Sequence, residues 1–138
     1  MYQKNQAKSV SEQIVSSRVD MLIAMYDAAI EATARAERSL RDNNDHEAAL
    51  ARSQALGFVG LIESGLDLQQ GDIPKRIREL CGFVEQSLLS SNTDEIAAST
   101  RVLRNLRDGF IGIRAEARAL ENSGAIPRLS AKSVDTLV

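Results

Sequence analysis

The sequence predicts an all-α protein, an antiparallel four-helix bundle with a short N-terminal arm or helix and a flexible C-terminal tail. Apolar residues recur at spacings of three and four, and alanine, leucine, glutamate and arginine, which favour helix, dominate. Strand-like alternation is hard to find, and the 138 residues include only 2 prolines. A chain of this length fits one domain, which we assign to residues 1–124, with 1–16 as the arm and 125–138 as the tail.

The first long helix is expected to begin at Ser17, whose hydroxyl can cap it with Asp20 three residues on, and to end at residues 42–44. Its core stripe is Val19, Leu22, Ile23, Tyr26, Ile30, Thr33 and Leu40. The second helix is expected to begin at a capping box of Asn44 and Glu47 and to end at residues 69–71. Its buried face is Ala51, Ala55, Phe58, Val59, Ile62 and Leu66.

Asp72 is expected to cap the third helix, with Pro74 in its first turn, where a missing N–H costs little. The core stripe of this helix is Ile73, Ile77, Leu80, Cys81, Val84 and Leu88. Asn92 and Glu95 form a third capping box before the last helix, which ends at residues 122–124. Its inward residues are Val102, Leu103, Leu106, Phe110, Ile113, Ala117 and Leu120.

The sequence shows no equipment for catalysis, and we expect no cofactor and no metal. A di-iron bundle needs several histidines, and a phosphotransfer module needs one in mid-helix, whereas the single His46 lies at a helix start beside two acidic residues. Cys81 falls on a core stripe, which favours a buried structural thiol. Gly57 and Gly60 lie inside a helix and make no phosphate-binding loop.

The formal net charge of -2 gives no reason to expect nucleic-acid binding. No apolar run reaches the roughly 18 residues of a membrane span, and the polar start is unlike a signal peptide. One cysteine without a partner points to a reducing compartment. We therefore expect a cytoplasmic protein that does not insert into membranes.

The second helix has too much apolar surface for a bundle helix. Opposite its core face runs a ridge of small residues, Ala49, Ser53, Gly57, Gly60 and Ser64, with Leu50 and Leu61 on one side and Leu56 on the other. A shallow, nearly uncharged channel edged by leucines suits a docking partner helix. The alternative is that the N-terminal arm or the C-terminal tail covers this face.

Three segments of the chain follow a pattern that occurs together in one known family. Tyr2 stands in a polar arm rich in Gln and Asn. Residues 17–30 read S-R-V-D-M-L-I-A-M-Y-D-A-A-I, and residues 65–72 read G-L-D-L-Q-Q-G-D. In these segments the chain resembles the flagellar secretion chaperones of the FliS family, which carry a block S-P-x-x-L-I-x-M-L-Y-D-G-A-I and a turn S-L-D-M-x-x-G-G. Arg18 stands in place of the proline of the block and Ala28 in place of its glycine, while Cys81 and Phe83 stand where the family carries tyrosines.

The resemblance implies an export chaperone, not an enzyme, that binds the C-terminal region of flagellin until a component of the export gate competes for it. It also implies that Tyr2 acts as a displaceable plug over the binding groove. We expect Tyr26 and Asp27 to be framework residues that make a hydrogen bond near the groove wall. The ridge assigns client contact to Leu50, Leu56, Gly57, Gly60 and Leu61, in a monomer or weak homodimer. The alternative function is a generic helix-binding adaptor or self-associating bundle.

Overall fold

A computed structural model describes the backbone of residues 2–123 and the side chains of residues 18–116, 119 and 122. Within this range the chain forms helices α1 Tyr2–Arg41, α2 Asp45–Ser64, α3 Asp72–Leu89 and α4 Thr93–Ser123, and no strand. The all-α prediction is confirmed. The predicted tail, 125–138, lies outside the described residues, and none of the described helices is long and apolar enough to cross a membrane.

The four helices form a closed ring in which α1 packs against α2 and α4, and α3 packs against α2 and α4. The connections at residues 42–44, 65–71 and 90–92 are short, so consecutive helices run antiparallel. Three ion pairs show that α1 and α4 are also antiparallel, because the residue numbers of the partners increase along α1 while they decrease along α4. These pairs are Asp20–Arg114, Asp27–Arg107 and Arg41–Asp94.

Each helix presents two edges to its neighbours. Neighbouring helices in the ring are right-handed and run in opposite directions. Where two of them face each other, both facing edges therefore hold residues of the same kind: either residues that precede core positions in the sequence, or residues that follow them. The facing edges of α1 and α4 hold residues that follow core positions, such as Asp27 after Tyr26. Those of α1 and α2 hold residues that precede them, such as Gln54, which bonds to Arg35 of α1. It follows that α2 and α3 meet through following edges, and α3 and α4 through preceding edges.

The core centres on Tyr26, whose fully buried ring stacks on Phe110 with centroids 5.6 Å apart. Buried alanines on both α1 and α2 allow these helices to approach closely; they are Ala29, Ala32, Ala36, Ala48, Ala51 and Ala55. The predicted stripes of α1 and α2 are confirmed, since every member is buried or packs on the core.

Side-chain caps hold two of the helix starts as predicted. The Asn44 side chain accepts a hydrogen bond from the Glu47 backbone N–H at 3.2 Å. The Asn92 side chain accepts from the N–H groups of Asp94 and Glu95 at 3.0 and 3.2 Å. The prediction that Asp72 caps α3 is wrong, because Asp72 is already the first helical residue and the cap is Gly71, at a φ of 104°. Only glycine adopts this backbone conformation without strain.

The first helix begins at Tyr2, so the prediction that it starts at Ser17 is wrong. The segment predicted as an arm is the first part of α1. No glycine or proline interrupts residues 2–41. Arg18, at the position where the resemblance expects proline, retains the N–H that an α-helix needs to continue. Because no helix-breaking residue precedes or follows Ser17 in this segment, its capping signal does not start a new helix and α1 continues through it.

The helices differ in length, and this sets where the bundle ends. The prediction that the second helix ends at residues 69–71 is wrong, because α2 ends at Ser64. It has 20 residues, against 40 in α1. α3 has 18 residues against 31 in α4. The first half of α1 and roughly the last dozen residues of α4 therefore extend past α2 and α3.

Two residues that were predicted to lie in the core, Ile73 and Ile113, are exposed because the helices differ in length. The side chain of Ile73 is 65% exposed and that of Ile113 is 37% exposed. Ile73 lies in the first turn of α3, and Ile113 lies beyond the level at which α3 begins. Both follow the apolar period, but they lie at the end of the bundle where α2 and α3 terminate, so fewer helices surround them. The side chains of Ala117 and Leu120, also predicted to face inward, lie outside the described residues.

Candidate functional site

The small-residue ridge predicted on α2 is an open surface. Its five members, Ala49, Ser53, Gly57, Gly60 and Ser64, are all exposed. A Cβ atom added at Gly57 or Gly60 would meet nothing within 4 Å. No described element therefore covers the middle of the ridge, and another chain could approach the α2 backbone closely there.

Leucines border the ridge along its length. Leu50 and Leu61, 47% and 54% exposed, precede core positions of α2 and so lie on its edge toward α1. Leu56 follows the buried Ala55, lies on the edge toward α3, and packs partly on the core. The five residues predicted for contact, Leu50, Leu56, Gly57, Gly60 and Leu61, thus share one continuous outer face of α2.

The neighbouring edge of α1 extends this apolar surface. Met21 is 62% exposed, and Met25 and Ala28 are half-buried. The hydrogen bond from Arg35 to Gln54 sets the antiparallel register of α1 and α2 and places Ala28 level with Leu61. Methionine adapts to partners of irregular shape. The groove between α1 and α2 is therefore lined by apolar side chains on both walls at this level, while Arg35 and Gln54 bridge it with polar groups further along α1.

Charge is nearly absent from the ridge itself. Arg52 and Glu63 are half-buried on the edge of α2 toward α3, where the Arg52 guanidinium donates a hydrogen bond to the Ser91 hydroxyl at 3.4 Å. Both residues therefore lie on the side of the ridge that Leu56 borders, away from Leu50 and Leu61. A partner seated on the ridge would therefore meet apolar and small side chains.

Tyr26 and Asp27 do not lie on this surface, because Tyr26 is in the core and Asp27 lies on the edge of α1 toward α4. The Tyr26 ring is fully buried, and its hydroxyl has no hydrogen-bond partner among the described residues. Burial raises the pKa of this hydroxyl well above its ordinary value, and nearby Cys81 adds to the rise. Asp27 accepts a hydrogen bond from the Arg107 guanidinium at 2.9 Å, which is the main cause of the raised pKa of Arg107. The hydrogen bond expected of the Tyr-Asp pair is thus made by Asp27 alone.

Tyr2 is not brought to the ridge. It is the first residue of α1, and its side chain lies outside the described residues. Gly60 is level with about residue 29 of α1 in the register set by Arg35 and Gln54. At 1.5 Å per residue, Tyr2 lies roughly 40 Å further along the helix.

The remaining candidates for chemistry are dispersed. His46 is exposed in the first turn of α2, and Cys81 is a buried free thiol whose pKa burial raises to about 11. Among the described residues, no group of three or more His, Cys, Asp or Glu side chains could hold a metal ion. The sequence interpretation missed the role of Arg107 and Arg114, which pair with Asp27 and Asp20 of α1.

A family model described as flagellar protein FliS matches residues 1–117. The chain belongs to the FliS family. The match spans α1, α2, α3 and most of α4, and so includes the ridge and the Tyr-Asp block. FliS proteins are flagellar chaperones, and the family is not one of enzymes. A search of curated proteins and a search of solved structures found no match.

Proposed function

We propose that this FliS-family protein is a cytoplasmic export chaperone that binds the C-terminal helical segment of flagellin. In this role it prevents premature polymerisation and keeps flagellin competent for flagellar type III secretion. The observation that carries the proposal is the open ridge of α2, where nothing lies within 4 Å of a Cβ at Gly57 or Gly60. A flagellar chaperone needs a surface for a flagellar client, and this open surface lies within the residues that the family match includes.

The chemistry of the ridge fits an amphipathic helix. Glycines at 57 and 60 let a client helix approach closely, and Leu50 and Leu61 can pack against its apolar stripe. Ordering a disordered segment costs free energy, and apolar burial at about 25 cal/mol per Å² offsets that cost. Binding of this kind requires no nucleotide, so competition at the export gate is sufficient for release.

Isothermal titration of the full chain with the C-terminal peptide of its flagellin tests the proposal. We expect one-to-one binding with a negative heat-capacity change, the signature of apolar burial. Gly57→Glu and Gly60→Glu should each abolish binding, because a carboxylate would stand in the uncharged channel. Gly109→Glu on α4 is the matched control, since Gly109 is also exposed and helical with open space at its Cβ, and binding should be unchanged.

Two negative results have separate meanings. Wild-type affinity in folded Gly57→Glu and Gly60→Glu variants would remove the ridge as the site while leaving the chaperone function in place. No heat from any flagellin segment would remove flagellin as the client.

The alternative, a self-associating bundle, uses the same ridge. Gel filtration at several concentrations separates the two functions. A chaperone should remain a monomer or weak dimer until its client is added. A stable dimer that Gly60→Glu dissociates would favour self-association instead.

A further inference from the structure

A second apolar surface lies between α3 and α4, on a different side of the bundle from the ridge. It consists of side chains on the preceding edges of both helices, through which α3 and α4 face each other. We name this surface the α3–α4 groove: Ile73, Leu80 and Phe83 from α3 and Val102, Leu106 and Ile113 from α4. Of these, Ile73, Phe83 and Ile113 are 65%, 42% and 37% exposed.

The side of α4 on which these residues lie is set by the ion pairs with α1. Arg107 and Arg114 follow Leu106 and Ile113 and bond to Asp27 and Asp20, so their side of α4 faces α1. The residues before them must then face the other neighbour of α4, which is α3. The ridge of α2 does not border this groove, so both surfaces could be occupied at once.

The narrowing of the bundle explains the exposure of Ile73 and Ile113 but not that of Phe83. Phe83 lies in the second half of α3, at a level where all four helices are present. The exposed part of the Phe83 ring is apolar surface that a further apolar segment could remove from water. Together with Ile73 and Ile113, it marks a groove that a further apolar segment would complete.

The chain itself supplies a segment at the right place. We propose that the C-terminal tail, residues 125–138, folds back from the end of α4 and packs its apolar side chains into the α3–α4 groove. α4 forms one wall of the groove and carries the tail at its own end, Ser123. The family match stops at residue 117, so the tail lies outside the matched residues.

Length and composition both permit this placement. Ile113 lies ten residues before Ser123, or about 15 Å along α4, and an extended chain covers that distance in roughly five residues. Pro127 lacks the N–H that would continue α4, which favours a change of direction. The tail carries five apolar anchors: Ile126, Leu129, Val134, Leu137 and Val138.

Limited trypsin digestion of the full chain tests the proposal at Arg128 and Lys132, the two basic residues of the tail. Docking protects these sites, so Phe83→Ser should increase the rate of cleavage there several-fold. Met21→Ser is the matched control, because Met21 is as exposed as the groove residues but lies on the edge of α1 toward α2. Its cleavage rate should equal that of the wild type.

The reciprocal variant removes the tail's anchors. Leu129→Asn with Val134→Asn should raise the fluorescence of a dye for apolar surfaces several-fold, and Ser130→Asn with Thr136→Asn should not. Equal cleavage in Phe83→Ser and Met21→Ser, or equal fluorescence in the two tail variants, would overturn the proposal. Doubling of the mass in light scattering, abolished by Phe83→Ser while tail cleavage is unchanged, would assign the groove to a second copy and also overturn it.

Discussion

At Tyr26 and Cys81, burial in the core changes the pKa of an ionisable side chain. The Tyr26 ring fills the centre of the core and stacks on Phe110. Its hydroxyl is therefore buried as well, and it has no hydrogen-bond partner among the described residues. Burial disfavours the charged form of both the hydroxyl and the Cys81 thiol, so both pKa values rise. The core therefore tolerates these groups only while they are neutral.

Alkaline pH should consequently destabilise the fold. The pKa of Cys81 is about 11 in the folded protein against an ordinary value of 9.0. Below pH 9 the thiol is neutral in both states, and between about 9 and 11 only the unfolded state loses the proton. The free energy of unfolding should fall by about 1 kcal/mol per pH unit over this interval.

Urea unfolding from pH 7 to 10.5 measures this loss. In Cys81→Ala, the free energy of unfolding should decline less steeply above pH 9 than in the wild type. The slopes against pH are compared, and not the absolute stabilities, because the truncation itself affects packing. Parallel declines in the two proteins would mean that the pKa of the thiol is the same in the folded and unfolded states.

At the scale of the element, α1 and α2 each depart from what local signals favour. α1 runs through a capping signal at Ser17 because Arg18 does not interrupt the helix as a proline would. α2 carries two interior glycines, each of which lowers helix stability by roughly 1 kcal/mol relative to alanine. A helix that keeps this penalty on an open outer face is consistent with a surface selected for binding over stability.

Replacing the glycines with alanine should separate stability from binding. Gly57→Ala and Gly60→Ala have open space for the new methyl group, so each should stabilise the protein by about 0.5–1 kcal/mol. The same methyl groups raise the floor of the ridge and should weaken binding of the flagellin peptide. Gly109→Ala on α4 provides the comparison, with a similar gain in stability and unchanged affinity.

Thermal unfolding and titration of the same three variants give both quantities. Unchanged affinity in both Gly57→Ala and Gly60→Ala would mean that a client does not approach the backbone at these positions.

At the scale of the whole molecule, periodicity predicted most of the architecture but not its dimensions. The core stripes, two of the helix caps and the open ridge follow from spacing within one helix, which is readable locally. Ile73 and Ile113 were misplaced because the end of the bundle depends on the relative lengths of four helices. The role of Arg107 was missed because its partner Asp27 is 80 residues away in the chain.

The ion pairs between α1 and α4 offer a test of what sets the register of the closed ring. Asp27 and Arg107 form a pair at 2.9 Å with side chains 53% and 27% exposed, so their coupling should be modest. A double-mutant cycle of Asp27→Asn and Arg107→Gln should give a coupling free energy of about 0.5 kcal/mol that largely disappears in 1 M salt. The control cycle pairs Asp27→Asn with Arg101→Gln, because Arg101 is an exposed arginine nearer the start of α4.

Only the first cycle should show coupling, because only Arg107 reaches Asp27 when Tyr26 stacks on Phe110. Zero coupling in both cycles would leave the aromatic stack and the surrounding core as the determinants of register. Equal coupling in both would indicate that α1 responds to the overall positive charge of α4 and not to a specific pairing, and the antiparallel register would then rest on packing alone.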